Sequence, residues 1–450
     1  MSKELFKILI FAIILPLVAQ DSTTVIKLNT FEDKALRDGF RAISQELKME
    51  SVEWEMKHTA AGYFPSVDYS LNFTKLDYQT VEGSNASLTA MENLLGIDLS
   101  NSPTALHENS FTHKFSLSQP ITNGGVEIIA IKIAKDMKQA SLYQMQAELQ
   151  QIRYDARKAY LTTISAYEQL ILAKEILDWV KKNLKLEEVR FNSASSSITD
   201  LLTWQSKLIE KESELFDAQE KYNLSRQKMV SMIGEDATKF SAEDINISSF
   251  KEFEMLFPKT PLAVTKGVEN SPNVLALNLL SNIAEKEKKI AITPYLPRVN
   301  GFASYEWPAS EKFIPEQKRS WAVGAVMNLS LFSGFRNYTN LKKVSYDYQK
   351  TLIDEKNSIA QLQLNLKRIE LALKTFHSST QAMKESMALM KKNLDIMQER
   401  YDGGLVNQTQ FFEVAIGYKQ ARLGYIHKLL MYLILESEYH LVIGDIKELM

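Results

Sequence analysis

The chain has 450 residues with 53 Lys plus Arg against 55 Asp plus Glu, a formal net charge of −2, so no overall basic field invites nucleic acid. It has no cysteine, which excludes disulfides, thiolate metal sites, a cysteine nucleophile and an acylated N-terminal cysteine. The length would admit several ordinary domains, but an internal repeat points to one duplicated body.

In chain order, Lys3 and Lys7 precede an apolar run over residues 8 to 19. Such a run is too short to span a bilayer and predicts a signal peptide over 1–20, cut near Ala19 or Gln20. The alternative, a buried N-terminal helix, sits poorly with the flanking lysines. No other stretch is long and apolar enough for a transmembrane helix, so a membrane crossing would have to be made by strands.

An amphipathic helix is predicted from 31 to about 62, ended by Gly62 and Pro65. Alternation then replaces the helical period: Val67, Tyr69, Leu71 and Phe73 share one side of a strand, with Asp68, Ser70, Asn72 and Thr74 on the other. A polar, turn-rich stretch from 83 to 109 reads as a long loop. Phe111, His113, Phe115 and Leu117 alternate in a second strand that ends at Pro120 and Asn123-Gly124-Gly125. From 126 to 192 there is neither proline nor glycine, predicting one helix on the order of 100 Å long that needs packing along its whole extent. Residues 193 to 197 break it, a second helix follows to 233, and 236–270, with Pro258 and Pro261, reads as a connector.

The second half repeats the order: a helix from 271 to 293, Pro294 and Pro297, strands over 299 to 307 and 321 to 332, a helix from 336 to 402, a break at Gly403-Gly404, and a last helix from 408 to 443. Lys181-Lys182-Asn183-Leu184 recurs as Lys391-Lys392-Asn393-Leu394, and Arg190-Phe191 as Arg400-Tyr401. Thr199 recurs as Thr409, Ile233-Gly234 as Ile443-Gly444 and Gly124 as Gly334, every pair offset by 210 residues. The expected units are therefore 21–235 and 271–450, flanking the connector. In each, two shorter helices stacked end to end match the length of the long one, so they can lie antiparallel beside it.

The strands carry aromatic and aliphatic side chains opposite Ser, Thr, Asn and Lys, a pattern suited to a barrel with lipid outside and water inside. Four strands are too few to close such a barrel, so several chains would have to share it. A soluble four-stranded sheet with one buried face is the alternative.

Taken together, these features resemble the TolC-like outer-membrane efflux proteins of Gram-negative bacteria. The likeness rests on the long helices, on Tyr-Phe-Pro-Ser-Val and Tyr-Leu-Pro-Arg-Val at residues 63–67 and 295–299, and on the Gly124 and Gly334 turns. It also includes the hairpins from Arg190-Phe191-Asn192 to Ile198-Thr199-Asp200 and at Arg400-Tyr401-Asp402-Gly403-Gly404. The resemblance implies a mainly α fold with a membrane β-barrel portion: four strands per chain, a homotrimer with a twelve-stranded barrel in outer-membrane lipid, and a long antiparallel helical barrel across the periplasm. It implies export of small molecules or proteins, with a periplasmic adaptor and an inner-membrane transporter as partners, and no cofactor.

By the same resemblance, Gln410 and Glu413 match the channel constriction. Glu413 keeps the carboxylate that would concentrate cations, and otherwise reads as a solvated helix face; Gln410 departs from the acidic pattern. Thr199, Asp200 and Tyr401 match contacts that hold the closed tip, whereas Val406 stands where a basic partner is usual. Tyr401 also reads as plain packing, and Arg190 and Arg400 as cations at helix C-termini.

Enzyme chemistry finds no support. Histidines 58, 107, 113, 377, 427 and 440 have no zinc-ligand spacing, and neither a phosphate-binding Gly-Lys-Ser loop nor a nucleophile elbow occurs. A periplasmic adaptor would carry one hairpin flanked by compact β domains. A structural coiled-coil protein of the envelope would leave the four amphipathic strands without a role.

Overall fold

A computed structural model describes residues 25–96, 108–234, 246–247, 249–310 and 319–445; the expected signal peptide lies outside them. The elements are β1 (Val25–Ile26), α1 (Leu28–Arg37), α2 (Phe40–Ala61), β2 (Ser66–Lys75), α3 (Tyr78–Leu95), β3 (Asn109–Asn123), α4 (Val126–Asn192) and α5 (Ile198–Met232). There follow β4 (Asn246–Ile247), α6 (Phe250–Glu254), α7 (Pro272–Ile290), a 3-10 turn (Thr293–Tyr295), β5 (Arg298–Ser310), β6 (Ser320–Asn328), α8 (Arg336–Asp402) and α9 (Gln408–Ile443). The two long helices have 67 residues each, as the absence of internal breakers predicts. Among the described residues no helix is long and apolar enough to cross a membrane.

The chain forms two compact units, one of Gln45–Ala147 with Val268–Gln363 and one of Met1–Ser44, Glu148–Gly267 and Leu364–Met450. The first holds an antiparallel sheet in the order β2-β3-β5-β6. Its register sets Tyr69 opposite Phe115, Phe115 opposite Tyr305 and Tyr305 opposite Trp321, so one apolar face runs across all four strands. That face carries Val67, Phe73, Val323 and Met327 exposed. On the other face Ser70 opposes Lys114, which forms a 3.5 Å ion pair with Glu306.

The second unit buries Phe250, Phe253 and Val268 of the connector. β4 pairs in parallel with β1, the Phe253 ring lies 6.2 Å from Tyr160, and the Tyr425 hydroxyl donates to Glu254 Oε1 at 2.9 Å. Arg157 donates to both oxygens of Glu32 at 2.6 and 3.0 Å, each residue almost fully buried. Burial pushes the Glu32 carboxyl upward while Arg157 pulls it down. Removing one partner would cost about 3–5 kcal/mol by stranding the other charge.

Three expectations are corrected. The N-terminal helix is broken in two at Asp38-Gly39, where a Cβ on Gly39 would lie 2.7 Å from the Met232 carbonyl oxygen: the chain passes too close to the end of α5 for a side chain. The loop expected over 83 to 109 begins as a helix, α3. Asp77 caps it by accepting from the Thr80 amide at 3.1 Å, Gly96 ends it in the left-handed region, and residues 97–107 lie outside the described chain. The last strand stops at Asn328 rather than 332, because its ladder partner begins at Arg298, just after Pro297. Leu329 to Phe332 therefore have no strand to pair with.

Candidate functional site at the hairpin ends

Both hairpins are closed by the same turn. The amides of Ser193, Ala194 and Ser195 donate to the carbonyls of Val189, Phe191 and Arg190, and the amides of Gly403, Gly404 and Leu405 donate to those of Glu399, Tyr401 and Arg400. Ala194 (φ 57°) and Gly404 (φ 71°) hold the left-handed position, which glycine adopts freely and alanine only at a cost. Each second helix then starts on a side-chain cap: Ser197 Oγ accepts from the Asp200 amide at 3.2 Å, and Asn407 Oδ1 accepts from the Gln410 amide at 2.8 Å.

This geometry accounts for several of the expected site residues. Gln410 closes a capping box, its Oε1 accepting from the Asn407 amide at 3.1 Å. Asp200, its counterpart 210 residues earlier, accepts from the Ser197 hydroxyl at 2.6 Å. Thr199 is exposed, and its carbonyl accepts from Thr203 Oγ1 at 2.7 Å. Tyr401 stacks on Phe411 with ring centroids 5.2 Å apart, and Glu413 is exposed one turn into α9. No hydrogen bond joins Tyr401 to Asp200 or Thr199 among the described residues. Gly124 and Gly334 both take positive φ, 72° and 61°, at the strand-to-helix turns; the next residues, Gly125 and Phe335, do so too. A Cβ on Gly124 would also lie 2.8 Å from the Thr293 carbonyl oxygen.

What sequence reading missed is the seam between the hairpins. Trp179 of α4 stacks on Phe412 of α9 at 4.5 Å, Trp204 of α5 meets Phe412 edge-on at 5.3 Å, and Ile176, Val180 and Leu184 complete the cluster. Lys207 lies 4.6 Å above the Trp204 ring and 4.7 Å from that of Phe412. Buried Gln408 donates to Asn183, the asparagine of the first Lys-Lys-Asn-Leu, which in turn donates to the Trp179 carbonyl at 2.7 Å. Further along, Ile171 and Leu172 of α4 line a small cavity with Ile426 of α9. Beside it, burial pushes the Glu168 carboxyl upward against the pull of Arg422, 3.3 Å away. The available signal was the repeated Asn183/Asn393 beside unlike residues, Gln408 and Ile198, at the equivalent positions of the second helices.

The model of the outer membrane efflux protein family matches residues 44–235 and 265–434. The chain belongs to this family. No curated protein matches the sequence. Among solved structures the fold is similar to the outer membrane protein VceC from Vibrio cholerae, with 14% identity, TM-score 0.72, and 93% of this chain and 96% of that one covered. It is likewise similar to the CmeC outer membrane channel of Campylobacter jejuni, with 15% identity, TM-score 0.75, and 93% and 85% covered. The open-state MtrE outer membrane channel of Neisseria gonorrhoeae gives 13% identity, TM-score 0.70, and 93% and 89% covered. The protein is thus an outer-membrane efflux channel of mainly helical fold with a four-stranded sheet, reaching into the periplasm, and its family transports rather than catalyses.

Proposed function

We propose that the chain works as a homotrimer that exports small molecules or proteins through the outer membrane, joined by a periplasmic adaptor to an inner-membrane transporter. One observation carries the ring of copies. The faces of α5 and α8 that stand exposed are the 210-residue counterparts of the α9 and α4 faces buried against each other. Leu202 is 56% exposed and its counterpart Phe412 4%; Phe216 is 67% exposed and its counterpart Ile426 2%. Met390 is exposed where Val180 is fully buried, and Ile198 where Gln408 is. Leu202, Ile209 and Phe216 stand at heptad spacing, as do Leu389 and Ile396, the pattern of a seam awaiting another helix.

A second copy supplies that helix: α5 of one chain packs on α8 of the next, as α9 packs on α4 within a chain. Such head-to-tail contacts close into a ring. The same closure joins the free edges β2 and β6 of successive sheets, so three copies form a twelve-stranded barrel with its apolar face to lipid. At the periplasmic end Glu413 supplies the constriction's carboxylates, while Gln410 is taken up by its helix cap. Thr199, Asp200 and Tyr401 contribute the contacts that hold the tip closed between copies, and Gly124 and Gly334 make the turns from barrel to tunnel. The domain units are the two repeats, 21–235 and 271–450, with 236–270 between them and a cleaved signal over 1–20.

Expressed in cells lacking their own efflux channel, the chain is expected to lower accumulation of a fluorescent efflux dye and to run as a heat-sensitive trimer from the outer-membrane fraction. Phe216→Asp is expected to abolish both. Dye export by a chain that stays monomeric would overturn the reading.

A further inference from the structure

The helix α3 joins β2 to β3 at the end of the sheet where Lys75 pairs with Asn109, opposite the end where β3 runs on into α4. It is capped at both ends and none of its residues is fully buried. Val81, Ser84, Leu88, Met91 and Leu95 follow one another at steps of three and four, a two-heptad seam. Val81 and Leu88 are half-buried, while Met91 and Leu95 are exposed. Leu94 (84% exposed) and Tyr78 (63%) stand off this stripe, so it is the regular spacing of the stripe that fits another helix.

We infer that this seam is filled by the α3 helices of the other copies, so that three of them form a small bundle across the outer mouth of the barrel. This rests on the ring of copies proposed above. Continuity favours a second copy as the occupant. β2 is an edge strand, and α3 follows it after only Leu76 and Asp77, with the Leu76 amide bound to the Glu108 carbonyl at 2.8 Å. Each α3 therefore starts at the junction where one copy meets the next. Charge disfavours a lipid surface as the occupant: the only charged residues of α3 are Glu82 and Glu92, with no Lys or Arg to meet phosphate headgroups. Two heptads are too short to associate freely, but helices tethered to one barrel meet at an effective concentration of about millimolar, where marginal packing suffices.

Cysteine is absent from the chain, so introduced thiols report cleanly. With Leu88→Cys in the full-length protein in outer membranes, copper-phenanthroline is expected to convert most of the chains to a disulfide-linked dimer. Ala86→Cys, on the opposite side of the helix, is expected to stay monomeric on the denaturing gel. Linking at both positions would mean close but unseamed helices and would overturn the bundle. A Leu88→Cys that is protected from maleimide yet unlinked, in a heat-sensitive trimer, would assign the face to lipid or to the chain's own residues 97–107 and also overturn it. Loss of the heat-sensitive trimer in the unsubstituted protein would instead overturn the ring of copies, and the bundle with it.

Discussion

The seam between α4 and α9 and the open faces of α5 and α8 are 210-residue counterparts, one covered and one exposed. Phe412 sits among Trp179, Trp204 and Val180 inside the chain, whereas Leu202, its counterpart, faces outward. On the proposed ring, the difference lies less in hydrophobicity than in whether a partner helix belongs to the same chain. A duplicated sequence can satisfy one copy of its seam internally, and the proposed ring gives the other to a neighbour.

Substitutions at paired positions should separate the two. Phe412→Ala is expected to cost about 3–5 kcal/mol of chain stability through lost burial and a cavity, read by denaturant unfolding of the detergent-solubilised protein. Leu202→Ala should leave the unfolding of the separated chain nearly unchanged and lower the temperature at which the trimer dissociates. Equal effects at both positions would erase the distinction between seam and open face. In the sheet, Val323→Arg is expected to impair barrel assembly, a charge on the lipid face costing about 2–4 kcal/mol at mid-membrane. Asn328→Ser, on the other face, should assemble normally, as judged by heat-modifiable migration.

The hairpin ends sharpen the comparison at smaller scale. Tyr401→Phe keeps the ring on Phe411 while removing the hydroxyl, so with Asp200→Ala it probes polar closure between copies. If those contacts hold the gate, the double variant should open more often in planar bilayers, each lost bond to a charged group being worth about 1–3 kcal/mol. Unchanged conductance would leave Tyr401 as packing alone. Glu413→Ala should mainly weaken block by multivalent cations. The smallest effect expected is at the turns: Ala194→Gly should stabilise the chain by about 1 kcal/mol by relieving a left-handed alanine, and Gly404→Ala should destabilise it by a similar amount. Thermal unfolding of the two variants checks the opposite signs.

Where the sequence was legible, it was so because local rules met no competition. The long helices α4 and α8 lack internal glycine and proline, and their ends fall where Gly125 and Ser193, or Phe335 and Gly403, interrupt them. The strand faces followed from alternation that the observed register keeps intact. What escaped depended on tertiary neighbours. The break at Gly39 comes from the Met232 carbonyl beside it, and Leu329 to Leu331 continue an alternation that has no partner strand. α3 was hidden by Gly83, Asn85 and Ser87, which favour turns, although its heptad seam was present. At the candidate site the repeated Lys-Lys-Asn-Leu showed the duplication alone, whereas the bond of Gln408 to Asn183 and the stacking of Trp179 on Phe412 are contacts across more than 200 residues, beyond any local pattern.

The most direct test places a photo-reactive benzoylphenylalanine at Phe216. Its counterpart Ile426 shares a cavity lining with Ile171 and Leu172, so the equivalent partners on a neighbouring copy are Gln381 and Ala382 of α8. Irradiation of intact cells is expected to give adducts between two copies of the chain, with the cross-linked peptide mapping to α8 around those two residues. Adducts only to another protein or to lipid, or only within one chain, would contradict the claim that α5 and α8 complete each other between copies.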